Sequence, residues 1–308
     1  MNNMHTTSGR WRLGLALSLV TVFLWGILPI ALVVTLKVLD VYTIIWFRFL
    51  VSFVLLAVYL GWQRKLPPLL RLRSTSWILL VIATLGLAAN YIFFTQGLAL
   101  TTPANAEVII QLAPLLMGFG GLFLFRERYT LLQWIGVGIL IVGFTLFFHE
   151  QLKNLVTAHG QYLVGSGLIV FGAATWTFYA LAQKQLLQSL SSFSIMLMIY
   201  GGCALLFTPF ANPKAIFQLN FFHLGLLLFC GLNTLIAYGA FAESLEHLEA
   251  SRVSAVSALA PIVTLISVWI VSVIMPTVIL PENISALGII GAVLVVTGSV
   301  TIALGKTR

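Results

Sequence analysis

The stretch Glu107-Val108-Ile109-Ile110-Gln111-Leu112-Ala113-Pro114 sits in an apolar run, and its last three residues return as Leu259-Ala260-Pro261, 147 positions later. The same shift carries Tyr91 onto Tyr238. Glu127, Gly136 and Gly143 recur as Glu282, Gly291 and Gly298 at a shift of 155, and Gly14 and Trp25 recur as Gly165 and Trp176 at a shift of 151. Each match is weak alone. In order, and at nearly constant spacing, they describe a chain made of two copies, residues 1–150 and 151–308.

Composition decides the solvent. Of 308 residues, 60% are hydrophobic, while only 16 are Lys or Arg and 8 are Asp or Glu. A water-facing surface needs roughly 25% charged residues, so the 8% present here excludes an ordinary soluble domain. Apolar runs at 13–36, 41–62, 76–97, 103–125, 131–148, 162–182, 193–210, 222–242, 252–275 and 284–304 are continuous rather than alternating. They predict an all-α membrane protein of ten transmembrane helices and not a barrel. The first run follows Arg10 and Arg12, exceeds a signal-peptide core in length and lacks a small-residue cleavage pattern, so it reads as a span. Cys203 and Cys230 lie inside apolar runs and read as packing residues, not as a disulfide.

With the N-terminus inside, the connectors put twelve Lys and Arg residues on the cytoplasmic side, against Lys37, Lys153 and Lys214 outside. That bias predicts two cytoplasmic termini and makes the net charge of +8 an insertion signal. There is no basic surface domain, so no nucleic-acid partner is expected. Five spans per copy is an odd number, so the second copy must enter the bilayer from the opposite side. Inverted repeats of this kind let two mirrored gates share one site, which is a signature of secondary transporters.

The small-residue stretch leading to Leu-Ala-Pro, the Glu that opens a Gly-x6-Gly helix, and the doubling of both resemble the EamA-type family of the drug/metabolite transporter superfamily. The resemblance covers nearly the whole chain. It implies a ten-span carrier with a central cavity between two five-helix halves, often an exporter of metabolites or amino acids.

Pro114 and Pro261 interrupt apolar spans at equivalent positions. Each proline frees the carbonyl four residues earlier, which must find water, a solute or a neighbouring helix, so both are candidate cavity residues. Thr102 and Pro103 read as the cap and first residue of the fourth helix. Glu107, Gln111 and Pro114 then share one face, where the second copy has Ser254, Ala258 and Pro261. Arg48 lies a third of the way into the second span, and its counterpart is Ile199. A guanidinium at that depth needs a partner, so Arg48 and Glu107 form either an ion pair or an anchor for a charged solute.

Trp25 and Trp176 lie in mid-span rather than at an interface. Trp176, Tyr179 and Gln183 share a face, and Asn90, Tyr91, Asn233 and Tyr238 add amides and phenols to the equivalent third and eighth helices. Together with Gln111, these residues are expected to line one cavity suited to an amphipathic organic solute; helix packing is the alternative for each singly. The glycines one heptad apart, Gly136 with Gly143 and Gly291 with Gly298, read as close helix contacts. Glu243, Glu246, His247 and Glu249 are the densest ionisable cluster and read as a solvated helix end rather than a metal site.

Enzyme signatures are missing. Gly305-Lys306-Thr307 imitates the end of a P-loop, but Val300 stands where the motif needs Gly, and no His-Glu-x-x-His occurs. No cofactor is expected. The reading is a secondary carrier in the cell membrane, moving a small organic solute by alternating access, with outward movement implied by the resemblance. An intramembrane lipid-processing enzyme would need more ionisable groups at one depth, and a scaffold or receptor would not need mirrored prolines and aromatics.

Overall fold

The computed structural model describes residues 10–65, 74–113, 115–117, 119, 130–157, 160–248, 253, 256–276 and 285–304, and all secondary structure among them is helical. The helices are α1 (Trp11–Thr35), α2 (Val41–Trp62), α3 (Ser74–Leu100), α4 (Pro103–Ile109), α5 (Leu131–Thr157), α6 (Gln161–Leu186), α7 (Ser192–Phe207), α8 (Phe221–His247), α9 (Ala260–Ile274) and α10 (Ala286–Leu304). A short 3-10 turn, Thr208–Phe210, and one helical turn, Pro213–Ile216, connect α7 to α8. Among the described residues, six helices are long and apolar enough to cross a membrane: α1, α2, α3, α6, α7 extended by the 3-10 turn, and α8. Leu131–Phe147, Ala260–Ile274 and Ala286–Ile302 are shorter apolar helices.

Short polar side chains set the helix starts. Asp40 caps α2 by accepting from the Thr43 backbone N–H at 2.9 Å and from the Thr43 hydroxyl at 2.6 Å. Thr43 Oγ1 in turn accepts from the Asn212 backbone N–H at 2.8 Å, tying the start of α2 to the connector after α7. Thr102, Ser191 and Asn220 cap α4, α7 and α8 through the N–H three residues on.

Equivalent helices of the two halves pack against each other antiparallel. The start of α2 meets the segment after α7 through Trp46 Nε1 donating to Thr208 Oγ1 at 3.1 Å, and the end of α2 meets the start of α7 through Tyr59 and Phe193. On α5 and α10, Gly136 faces Gly298 and Gly143 faces Gly291. A Cβ on Gly143 would lie 2.6 Å from the Val295 backbone nitrogen, so the two backbones touch as the glycine spacing predicts. The pairs α1 with α8 and α3 with α6 exchange roles between the halves, and α4 packs on α9. Phe49, Leu87, Tyr179, Ile195 and Tyr200 form the largest buried cluster, which joins α2, α3, α6 and α7. Val58, Phe171, Leu205 and Trp269 point outward and are exposed, as an apolar solvent requires.

Three expectations change. The fourth segment is not one continuous helix over 103–125. Ile110 and Gln111 form a turn, Gln111 N–H bonding the Val108 carbonyl at 3.2 Å and Ala113 N–H the Ile110 carbonyl at 2.9 Å. Residue 114 has no N–H to offer the Ile110 carbonyl, so the chain tightens to a three-residue bond there. Pro114 itself lies outside the described residues, as do Glu127, Ser254 and Glu282. The ninth helix begins at Ala260, after a turn at Ala258 and Leu259, and Pro261 occupies its first turn, where a missing N–H costs nothing. His247 is buried rather than solvated, beside Glu243 at 3.6 Å. Glu243 and Glu246 accept hydrogen bonds from the Ser192 hydroxyl and backbone N–H, so these carboxylates cap the start of α7. Glu249 lies outside the described residues.

Candidate functional site

A cavity of about 90 Å³ lies where α1, α2, α3, α4, α6, α8 and α9 approach one another. Trp25, Arg48, Asn90, Tyr91, Glu107, Gln111, Trp176 and Tyr238 all line it. The Leu-Ala-Pro repeat reaches it through Ala113 and Ala260.

Arg48 is 2% exposed and held on two sides. Its Nε donates to Thr234 Oγ1 at 2.9 Å, and its guanidinium carbon lies 4.4 Å from the centre of the Tyr91 ring, a cation–π contact. Thr234 donates its own proton to the Cys230 carbonyl at 3.0 Å and accepts from the Tyr91 hydroxyl at 3.4 Å. The Tyr200 hydroxyl donates to the Thr234 carbonyl at 3.0 Å. This network fixes the Nε edge of the guanidinium and leaves its two terminal Nη groups without a hydrogen-bonding partner among the described residues.

Glu107, on α4, is 5% exposed and faces the same cavity. Its carboxylate makes no hydrogen bond and no ion pair among the described residues, so the direct pair with Arg48 does not form. Two further polar atoms beside the cavity are buried without partners, Gln111 Oε1 and Thr95 Oγ1. Buried polar atoms are normally hydrogen-bonded. These two, with the Arg48 Nη groups and the Glu107 carboxyl, border a space that an occupant could fill.

Beyond the charges the wall becomes aromatic. Trp25 meets Trp176 edge to face at 6.3 Å and Tyr238 at 5.2 Å, and both tryptophans touch Phe241. Behind them Phe241, Leu245, Leu248 and Val253 form a buried apolar cluster towards the end that carries the start of α1, where Leu248 and His247 lie against Gly14.

Three expected cavity residues lie outside the lining. Tyr179 is fully buried, and its hydroxyl lies 3.6 Å from Met196 Sδ, as Gln183 Nε2 does at 3.5 Å one turn later. That side of α6 packs on α7, while Trp176 alone reaches the cavity. Asn233 donates to the Leu24 carbonyl at 2.6 Å, bonding α8 to α1. Pro261 is buried beside Ala260 and is not part of the lining. Asn90 lines the cavity but spends its amide on the Gly172 carbonyl at 3.0 Å, joining α3 to α6.

Sequence reasoning missed Thr95 and Thr234. Thr95 follows Tyr91 by four residues and was legible as the same face of α3. Thr234 acts through Arg48, a contact between helices 186 positions apart that no local spacing signals.

The chain is similar, over most of its length, to proteins described as transporters. Two segments, residues 12–149 and 163–304, match the EamA-like transporter family. The inner membrane transporter YhbE of Escherichia coli is 37% identical over 95% of this chain and 92% of its own. A transporter of Haemophilus influenzae is 36% identical over 95% of each. A probable amino-acid metabolite efflux pump of Escherichia coli is 23% identical over 68% of this chain and 71% of its own. A solved crystal structure shares the fold, with a TM-score of 0.67 at 18% identity, covering 95% of this chain and 97% of that one. With six helices able to cross a bilayer and relatives in the inner membrane, the protein is a multi-pass inner membrane protein. The chain belongs to the EamA-like transporter family.

Proposed function

We propose that this protein is a secondary carrier that exports a small organic solute by alternating access around the cavity between α1, α2, α3, α4, α6, α8 and α9. The observation that carries this reading is the cavity itself: a buried arginine and a buried glutamic acid line it, and the two do not close into a structural pair. A scaffold has no use for such groups, since each costs desolvation that only an occupant or water can offset.

The antiparallel packing of α2 on α7 and of α5 on α10 supports two oppositely inserted copies, residues 1–150 and 151–308, with ten spans and cytoplasmic termini. The two family matches support the same division. The relative described as an amino-acid metabolite efflux pump supports outward movement. The aromatic part of the lining suits a solute with an apolar body, and no enzymatic step is part of this function.

The test is counterflow in reconstituted vesicles against a panel of amino acids, nucleosides and cationic drugs. Saturable movement of at least one class, lost on Trp176→Ala, is expected. If every class moves as it does in protein-free vesicles, the carrier reading fails.

A further inference from the structure

Two apolar clusters flank the cavity, one towards each end of the bundle, and they are built from equivalent residues. At the end that carries the start of α1, Phe241, Leu245 and Leu248 pack against Trp25 and Trp176, and Leu248 with His247 lies against Gly14. A shift of 147 turns Phe241, Leu245 and Leu248 into Phe94, Leu98 and Thr101. Phe94 and Leu98 belong to the second cluster, and Thr101 with Leu100 lies against Gly165, the counterpart of Gly14.

The helices that carry these residues, α8 and α3, are each tied at mid-length and again near the end. At mid-length α8 is held through Thr234, whose hydroxyl oxygen accepts from Arg48 Nε at 2.9 Å and whose carbonyl accepts from the Tyr200 hydroxyl at 3.0 Å. Near its end, Glu243 accepts from the Ser192 hydroxyl at 2.9 Å and Glu246 from the Ser192 backbone N–H at 3.0 Å. At mid-length α3 is held through Tyr91, packed on Phe49 and Arg48. Near its end Gln96, the counterpart of Glu243, donates from Nε2 to the Tyr42 hydroxyl at 3.4 Å. The start of α7 thus grips the end of α8 as the start of α2 grips the end of α3, with carboxylates in one grip and a neutral amide in the other.

We infer that Ser192 with Glu243 and Glu246 is the latch of a gate at the α1 end, that Tyr42 with Gln96 is the latch of the mirrored gate, and that each gate opens as the end of α8 or α3 swings about its mid-helix tie. The inference rests on the carrier reading and adds to it the contacts that must break. Hydrogen bonds at a helix end suit a latch, because water replaces them when the end swings out and their net worth is small enough to be reversible. The tie at Thr234 is buried away from water and stays closed. Bonds to a carboxylate outweigh those between neutral groups, so the gate at the α1 end is the more firmly held of the two.

The experiment places a cysteine in the cavity wall of the full-length chain, Ser257→Cys, with Ala260→Cys as a second reporter. Its reaction with a membrane-impermeant thiol reagent is timed from one face at a time, in intact cells and in inside-out vesicles. Ser192→Ala combined with Glu246→Ala should speed labelling about 10-fold from the face on which α1 begins, and not from the other. Ser192→Thr, which keeps the hydroxyl, should stay near the rate of the reporter alone. Tyr42→Phe should speed labelling about 3-fold from the opposite face only, the smaller effect of a neutral contact, since Asn105 Nδ2 also bonds Ser166 Oγ at that end at 3.1 Å. Generally loosened packing would speed both faces alike. Equal acceleration from both faces, no acceleration with either reporter, or both sets of variants acting at the same face overturns the latches. The carrier reading would still stand or fall on the vesicle panel.

Discussion

Glu107 and Asn233 show how differently two buried polar residues can be used. Asn233 spends its amide on the Leu24 carbonyl at 2.6 Å. Asn233→Leu should therefore lower stability by about 1 to 2 kcal/mol through the orphaned carbonyl, read as a fall in Tm in detergent. Glu107 has no such bond to lose. Its carboxyl has no structural partner among the described residues, so Glu107→Gln should change stability by less than about 0.5 kcal/mol, with no fall in Tm, even as it damages solute binding. A fall in Tm would mean that the carboxylate has a structural partner. For the same reason, the stability effects of Arg48→Gln and Glu107→Gln in the empty protein should add to within about 0.5 kcal/mol. A larger departure in the double-mutant cycle would show that the two charges are coupled after all. At this scale the sequence revealed residue types better than directions. Trp25, Tyr91 and Tyr238 were legible because the repeat brought them into one place. Tyr179 was not, because whether it faces a cavity or Met196 depends on how α6 rotates against α7, which no pattern within α6 encodes.

Helix ends and helix contacts were the most legible features, since their determinants are local. Asp40 before Val41, Thr102 before Pro103 and Asn220 before Phe221 each place an acceptor ahead of an apolar run, and the helices start there. The interior of the fourth segment was harder. A proline at 114 announces a disruption, but the turn lies at Ile110 and Gln111, where the carbonyl that residue 114 cannot bond is taken by the Ala113 N–H instead. The heptad glycines of α5 and α10 carry the sharpest expectation for an element. A Cβ on Gly143 would meet the Val295 nitrogen at 2.6 Å and the Gly291 carbonyl oxygen at 2.9 Å, and backbone cannot step aside as a side chain can. Gly143→Val should cost about 1 to 3 kcal/mol by forcing the helices apart. Gly138, on the same helix, has nothing within 4 Å, so Gly138→Val should stay within about 0.5 kcal/mol. Equal losses for the two variants would mean that helix propensity, not contact, decides.

The whole molecule combines near-symmetric packing with an asymmetric interior. Tyr91 packs on its counterpart Tyr238 and Trp25 on Trp176, so equivalent residues meet near the centre of the bundle. Most of the polar lining, by contrast, comes from the first half: Asn90, Thr95, Glu107 and Gln111 have Ala237, Ala242, Ser254 and Ala258 as counterparts, and the second half adds Ser257 and the Tyr238 phenol. Symmetry serves the packing, while chemistry is written on one copy. The antiparallel arrangement has a consequence for the membrane that can be measured with cysteine. Gln63 follows α2 and Gln218 follows α7, so they occupy equivalent places in the two halves. Yet the end of α2 lies beside the start of α7, which puts the two connectors at opposite ends of the pair. Both glutamines are exposed and uncharged, so replacing either leaves the distribution of basic residues untouched. The native Cys203 and Cys230 are buried, and the unaltered chain should therefore give little background with a membrane-impermeant thiol reagent. In intact cells Gln218→Cys should label readily. Gln63→Cys should label only after permeabilisation, because it lies in the same connector as Arg64 and Lys65. Labelling of both from the same side would exclude opposite insertion of the two halves, and labelling of Gln63→Cys alone in intact cells would keep the inversion while reversing the orientation.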